Sequence, residues 1–222
     1  MVMKPDTDFS IRTILGGYDR NFTYIITCMR TGMQVCVDAA VERSSIEPYI
    51  RSEPAALLVT HTHGDHIAYL DEYLEQYPNM VILGHPDTVP QQGGKAFRAV
   101  AHNQTFHLGK LSFTALHTPG HYYDSITYQL ESVLFTGDTL FVGRTGRVIS
   151  ARSNIEKLYD SIYNIILTLP KNIRIYPGHD YGDTPTISLQ ENIASSPLLQ
   201  ASDMNDFKVR MSDYEHSRQP GS

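Results

Sequence analysis

The sequence predicts an α/β domain whose metal-ligating side chains gather at one end of a sheet. Three observations carry that reading. Apolar runs of strand length alternate with segments whose apolar residues recur at helical spacing. At 222 residues the chain matches one well-buried domain, so a single domain over 1–222 is expected. Histidines and aspartates follow the ends of several predicted strands, where the loops of a layered domain converge.

Taken in order, "FTYIITC" and "MQVCVDAA" are β-rich runs separated by "MRTG", a hairpin closed at Gly32. "SSIEPYIRS" predicts a short helix capped by Ser44 or Ser45, and "AALLVT" a buried strand ending at His61. Ile67, Leu70, Leu74 and Tyr77 then recur at helical spacing, so a helix is expected from Asp65 to Pro78. "MVILG" is the next strand, and "PQQGGKAFRAVAHNQ" a polar loop placed as a lip over a site. "LSFTALHT" and "SITYQLESVLFTG" alternate as strands around a Pro119-Gly120 turn. "SNIEKLYDSIYNIILTL" is an amphipathic helix capped by Ser153 or Asn154, and "IRIYPG" a last strand before His179. Residues 214–222 are expected to form a disordered tail.

Composition narrows the function. A net charge of −6, a pI near 5.9 and no Lys/Arg cluster argue against nucleic acid as a partner. No apolar run is long enough to span a membrane, and the N-terminal residues lack the apolar core of a signal peptide. A cytoplasmic protein is therefore expected. Cys28 and Cys36 lie in apolar strands, which favours buried reduced thiols over a disulfide.

"HTHGDH", residues 61–66, places four potential ligands in six positions on a strand-to-helix turn. Such a turn can direct two of them one way and two another, which suits two metals better than one. Imidazole and carboxylate donors fit zinc, iron or manganese, and no cysteine ligand points to a structural zinc site. No G-x-S-x-G elbow supplies a side-chain nucleophile.

These residues resemble the H-x-H-x-D-H signature of the metallo-β-lactamase fold. "HTPGH" (117–121), "FTGDTLFVG" (135–143) and "YPGHDYG" (176–182) are similar to the later motifs of that fold, in the same order. The resemblance covers about residues 15–200, and "RNFTYIIT" looks like the first strand of its glyoxalase II branch. That branch comprises the hydroxyacylglutathione hydrolases and lies close to the persulfide dioxygenases. The resemblance implies a four-layer αββα sandwich. It implies one metal on His61, His63 and His121, a second on Asp65, His66 and His179, and Asp138 bridging them. Asp65 would thereby take part in catalysis, and Asp38 would be a buried aspartate supporting the ligands. Arg147, in "GRTGR", falls where the branch carries a basic residue near the substrate's thiol arm. His117 reads as loop structure rather than a ligand, while His85, His102, His107 and His216 match nothing.

The implied activity is hydrolysis of a small thioester such as S-lactoylglutathione by attack of a hydroxide bridging two divalent ions. A thioester suits this machinery because its thiolate, with a pKa near 8.5, leaves with little help from an acid. The alternatives are a dioxygenase with one iron on His61, His121 and Asp138, or a lactonase or phosphodiesterase on the same scaffold. Three departures bear on the thiol carrier. "HYYDS" stands where the family has an "HTPGS"-like stretch and sets Tyr122 and Tyr123 beside His121, where they would line a substrate pocket or pack in the core. Val148, Ile149 and Ser150 differ from both subfamilies, and the aromatic residue that glyoxalase II uses in this region to hold glutathione is not evident. The 43 residues after His179 (222 − 179) are fewer than that enzyme carries.

Overall fold

Strand alternation decides the layering. In β2 (Asn21–Cys28) Tyr24 and Ile26 face one side and Ile25 the other; in β3 (Gln34–Val37) Val35 and Val37 oppose Cys36. The same alternation sets Leu58 against Leu57 in β4 (Ala56–Leu58), and Val133 and Phe135 against Leu134 in β10 (Val133–Gly137). Strands that are apolar on both faces must be covered twice. A computed structural model, describing residues 8–88 and 97–217, accordingly has two six-stranded sheets packed face to face with helices outside each.

The first sheet runs in the order β1 (Phe9–Gly16), β2, β3, β4, β5 (Val81–Gly84), β6 (Phe97–Ala99); β1–β3 pair antiparallel and β3–β6 parallel. The second runs β7 (Gln104–Leu108), β8 (Leu111–His117), β9 (Ile126–Leu130), β10, β11 (Arg174–Pro177), β12 (Ile187–Ser188), with β10 and β11 parallel. Phe22, Tyr24, Phe113, Tyr128 and Phe135 fill the space between them. Helices α1 (Arg43–Ile46) and α2 (Leu70–Gln76) cover the first sheet through Ile46, Leu70 and Tyr73. Helices α3 (Ile155–Asp160, continued by wider and tighter turns to Thr168), α4 (Leu189–Ser195) and α5 (Met204–His216) cover the second. This is the expected αββα sandwich.

Several boundaries differ from the sequence expectations. The first strand is Phe9–Gly16, one hairpin earlier than "RNFTYIIT". Helix α2 begins at Leu70, not Asp65, because residues 64–69 turn to carry ligands while Ile67 and Tyr69 pack beneath. Neither Ser44 nor Ser45 caps α1; Glu42 occupies that position without a side-chain bond. Asn154 caps α3, its carbonyl oxygen accepting from Lys157 N at 2.8 Å. The polar loop after β5 is partly strand, since Phe97–Ala99 pairs with β5; residues 89–96 lie outside the described residues. His117 ends β8 instead of lying in a loop, with its ring stacked on His85 at 4.1 Å. The expected tail begins too early: Tyr214, Glu215 and His216 are the last turn of α5, and 218–222 lie outside the described residues. Tyr214 accepts from Arg144 and Glu215 pairs with Arg147, which holds that turn down. Cys28 and Cys36 are buried free thiols, and burial pushes Cys36 up to about 12. Among the described residues no helix is long and apolar enough to cross a membrane.

Candidate metal centre

Each potential ligand sits just beyond a strand end, on backbone pinned by its neighbours. Thr60 O accepts from Ile126 N at 2.7 Å, which ties the chain entering His61 to the second sheet. Pro119-Gly120 is clasped by α3: Asn154 N donates to Gly120 O at 2.7 Å and Ser161 Oγ to Pro119 O at 2.6 Å. Gly120 has φ +138, and a Cβ there would lie 2.3 Å from the Leu158 backbone, so no other residue lets His121 come this close to the helix. Gly178 answers a similar constraint beside His179. A Cβ at that position would stand 2.3 Å from Asp138 Oδ1 and 2.6 Å from His66 Cε1.

Two clusters result, with ligand atoms within 4.8 Å of one another in each: His61, His63, His121 and Asp138, and Asp65, His66 and His179. Asp138 joins them. Its Oδ2 lies 3.5 Å from His121 Nε2 and 3.3 Å from His179 Nε2, and its Oδ1 lies 3.1 Å from His66 Nε2. Oδ1 is buried without a hydrogen bond of acceptable geometry, an orphaned acceptor that a cation would satisfy.

The remaining ring nitrogens are held from behind. His66 Nδ1 meets Asp38 Oδ2 at 2.8 Å, His179 Nδ1 meets Asp19 O at 2.8 Å, and His121 Nδ1 meets Arg147 O at 2.9 Å. His61 Nδ1 lies 3.2 Å from Thr60 Oγ1, whose hydroxyl donates to Asp38 Oδ2 at 2.8 Å. A backbone carbonyl at Nδ1 fixes the proton there and leaves the Nε2 lone pair facing inward. His63 is the exception, presenting Nδ1 at 3.0 Å from His61 Nε2 and 2.9 Å from His121 Nε2.

Charge divides the site. Burial and the facing imidazoles hold His61 well below its ordinary value, push His63 down to about 4 and lower His121. These three are therefore neutral, the form that ligates a cation. In the other half burial opposes every charge, yet the groups offset it mutually. His66 is held well above its ordinary value by Asp138 and Asp38, and His179 is raised to about 9 by Asp138 and Asp65. Asp138 and Asp65 are correspondingly lowered against the penalty of burial, Asp138 by His66 and His179, Asp65 by His179, His66 and Asn21. Five imidazoles and two carboxylates fit one or two divalent ions with nitrogen and oxygen ligands, provided that His66 and His179 release their extra protons as a cation binds.

Other expected residues lie close by. Tyr122 lays its ring on His63 at 4.0 Å, while Tyr123 packs on Tyr122 and donates to Asp87 O at 3.3 Å. The Arg147 side chain lines the cleft over the clusters, but its Nε pairs with Glu215 at 2.9 Å. The sequence reading missed Asn21. Buried at the start of β2, it donates to Asp65 Oδ2 at 2.8 Å and accepts from Asp19 N at 3.0 Å. No local pattern marks it, because its partner is 44 residues away. Asn21→Ala is expected to weaken metal uptake at the Asp65 cluster roughly tenfold, as for loss of a hydrogen bond behind a ligand. Competition with a chelator measures this; equal weakening of both clusters would mean that Asn21 acts on the fold at large.

The model of the metallo-beta-lactamase superfamily matches residues 38–179. A probable hydroxyacylglutathione hydrolase of Schizosaccharomyces pombe is 31% identical over 198 residues, covering 82% of this chain and 72% of that relative. A hydroxyacylglutathione hydrolase of Francisella philomiragia is 32% identical over 166 residues, and the chain spans 61% of its length. The crystal structure of ETHE1 from Myxococcus xanthus superposes with a TM-score of 0.82 at 27% identity, covering 96% of this chain and 92% of that one.

Proposed function

The chain belongs to the metallo-beta-lactamase superfamily, and on that premise we propose that it is a metal-dependent hydrolase cleaving a thioester such as S-lactoylglutathione. The convergence of five histidines and two aspartates around Asp138 carries the reading. His61, His63 and His121 would hold one divalent ion, Asp65, His66 and His179 a second, with Asp138 between them. Ions held there would supply a water deprotonated near neutral pH and a polarised substrate carbonyl.

The chain's own residues do the rest. Asp38, Asp19 and the Arg147 carbonyl keep the rings oriented, so little reorganisation accompanies the reaction. Tyr122 shields His63 from solvent on one side. Asp138 and Asp65 are ionised and hold no proton to give, so the leaving group departs unassisted, as a thiolate can. Among the described residues the cleft wall carries no thiol and two hydroxyls, Thr145 and Tyr181, while Cys28 and Cys36 are buried within the sheets. The names of the hydrolase relatives support glutathione as the thiol carrier.

Metal analysis by mass spectrometry of protein purified without chelators tests this directly. About two divalent ions per chain, with turnover of S-lactoylglutathione, are expected. One iron per chain and oxygen consumption on a persulfide would replace this reading with the dioxygenase. Asp65→Ala sharpens the choice. It should abolish most thioester hydrolysis if two ions act together, whereas a single iron on His61, His121 and Asp138 would survive it.

A further inference from the structure

The cleft has two arginines on its wall, and only one is committed to a carboxylate. Arg147 Nε lies 2.9 and 3.2 Å from the two oxygens of Glu215. Arg144 has no carboxylate within 4.0 Å among the described residues. Its guanidinium lies 4.0 Å from the centre of the Tyr181 ring and 5.7 Å from that of Phe141, and Nη1 donates to Tyr214 Oη at 2.9 Å. Its Nε is buried without an acceptor among the described residues, and a buried donor left unpaired is costly unless something brings an acceptor.

Arg144 is also presented rigidly. Phe141 N donates to Arg144 O at 2.8 Å, closing a tight turn, and Leu140 bridges Thr145 across it. The wholly buried Asn192 of α4 clamps that turn, accepting from Gly143 N at 2.7 Å and donating to Phe141 O at 2.8 Å. Tyr181, on which the guanidinium lies, itself stacks parallel on His179 at 4.7 Å. The cation is thus one ring removed from His179, on the wall of the cleft that also holds Asp138 and His121.

We propose that Arg144, rather than Arg147, binds a carboxylate on the thiol arm of the substrate and sets selectivity for anionic thiol carriers. The inference rests on the thioester reading above. A planar guanidinium lying over an aromatic ring, with a hydroxyl but no carboxylate bound to it, is ready to take a carboxylate in a fixed plane. Arg147 would need to give up Glu215 first.

The test is calorimetric binding of an inert thioether, S-propylglutathione, and of its diethyl ester, to the metal-loaded protein. The wild type should bind the free acid at least tenfold more tightly than the diester. Arg144→Gln, which keeps length and the option of bonding Tyr214, should erase that difference, while Arg147→Gln should preserve it. Melting temperatures of both variants near the wild type's would confirm that they fold. The proposal falls if Arg144→Gln still discriminates acid from ester, if it weakens both ligands equally, if Arg147→Gln removes the discrimination, or if the wild type shows none. Hydrolysis of the uncharged S-acetyl-N-acetylcysteamine reads the thioester activity separately. Turnover of that ester without acid–ester discrimination would sink the role of Arg144 alone, whereas no turnover of any thioester would sink the activity whichever way binding goes.

Discussion

Asp138→Asn is expected to release metal from both clusters and to lower thioester hydrolysis far more than any other single change. The carboxylate lies between His121, His66 and His179, with separations of 3.1–3.5 Å, and is held ionised against burial by His66 and His179. Asparagine preserves its shape but not its charge, so two ions would lose their shared anion while the fold stays. Loss of a hydrogen-bonding group behind a ligand typically costs about 10- to 100-fold in metal affinity. Loss of the central ligand should exceed that at both sites. His179→Ala touches one cluster, so its chelator titration should release one ion readily and keep the other. Equal release by the two variants would show that Asp138 does not join the clusters.

Asp38 is expected to rank second. It sits at the end of β3 with φ 57°, a left-handed conformation that aspartate and asparagine tolerate and most residues resist. From there Oδ1 accepts from Thr60 N at 2.8 Å, while Oδ2 accepts from Thr60 Oγ1 and faces His66 Nδ1, both at 2.8 Å. One carboxylate therefore orients His66 directly and His61 through Thr60. Asp38→Asn keeps the backbone conformation and one acceptor but replaces an oxygen by an amide nitrogen. It should weaken metal binding by about 10- to 100-fold with a modest change in melting temperature. Asp38→Ala should show the same metal defect. It should also lose roughly 1–3 kcal/mol of stability from the unpaired Thr60 N–H and the strained φ. Alanine destabilising without a metal defect in asparagine would make Asp38 a turn residue only.

How much of this was legible depended on distance along the chain. "HTHGDH" announces its chemistry because four potential ligands lie within one turn and follow a run too apolar to be a surface loop. The covering helices were readable where the apolar spacing is long, as in α3, and misjudged where a ligand turn imitates it, as at residues 65–69. The strand at Phe9–Gly16 went unread because its exposed and buried residues do not alternate strictly. Asn21 and the Asp19 carbonyl went unread for a different reason. A polar residue in a turn looks alike whether it faces water or an aspartate 44 residues away, and Asp19 meets His179 across 160 residues.

The resemblance in motif order singled out seven candidate ligands, while by itself the sequence determined the layered α/β class and the histidines and aspartates at its strand ends. Those features are written in residue type and short-range periodicity, which backbone geometry converts directly into structure. Only the tertiary structure decided which nitrogen of each histidine faces inward, that Asp138 stands between both clusters, and that Arg147 meets a carboxylate while Arg144, among the described residues, meets a tyrosine hydroxyl. These are contacts between segments far apart in the chain. Packing two sheets and their helices brings those segments within hydrogen-bonding range, and no local pattern encodes the direction in which a side chain points once they meet.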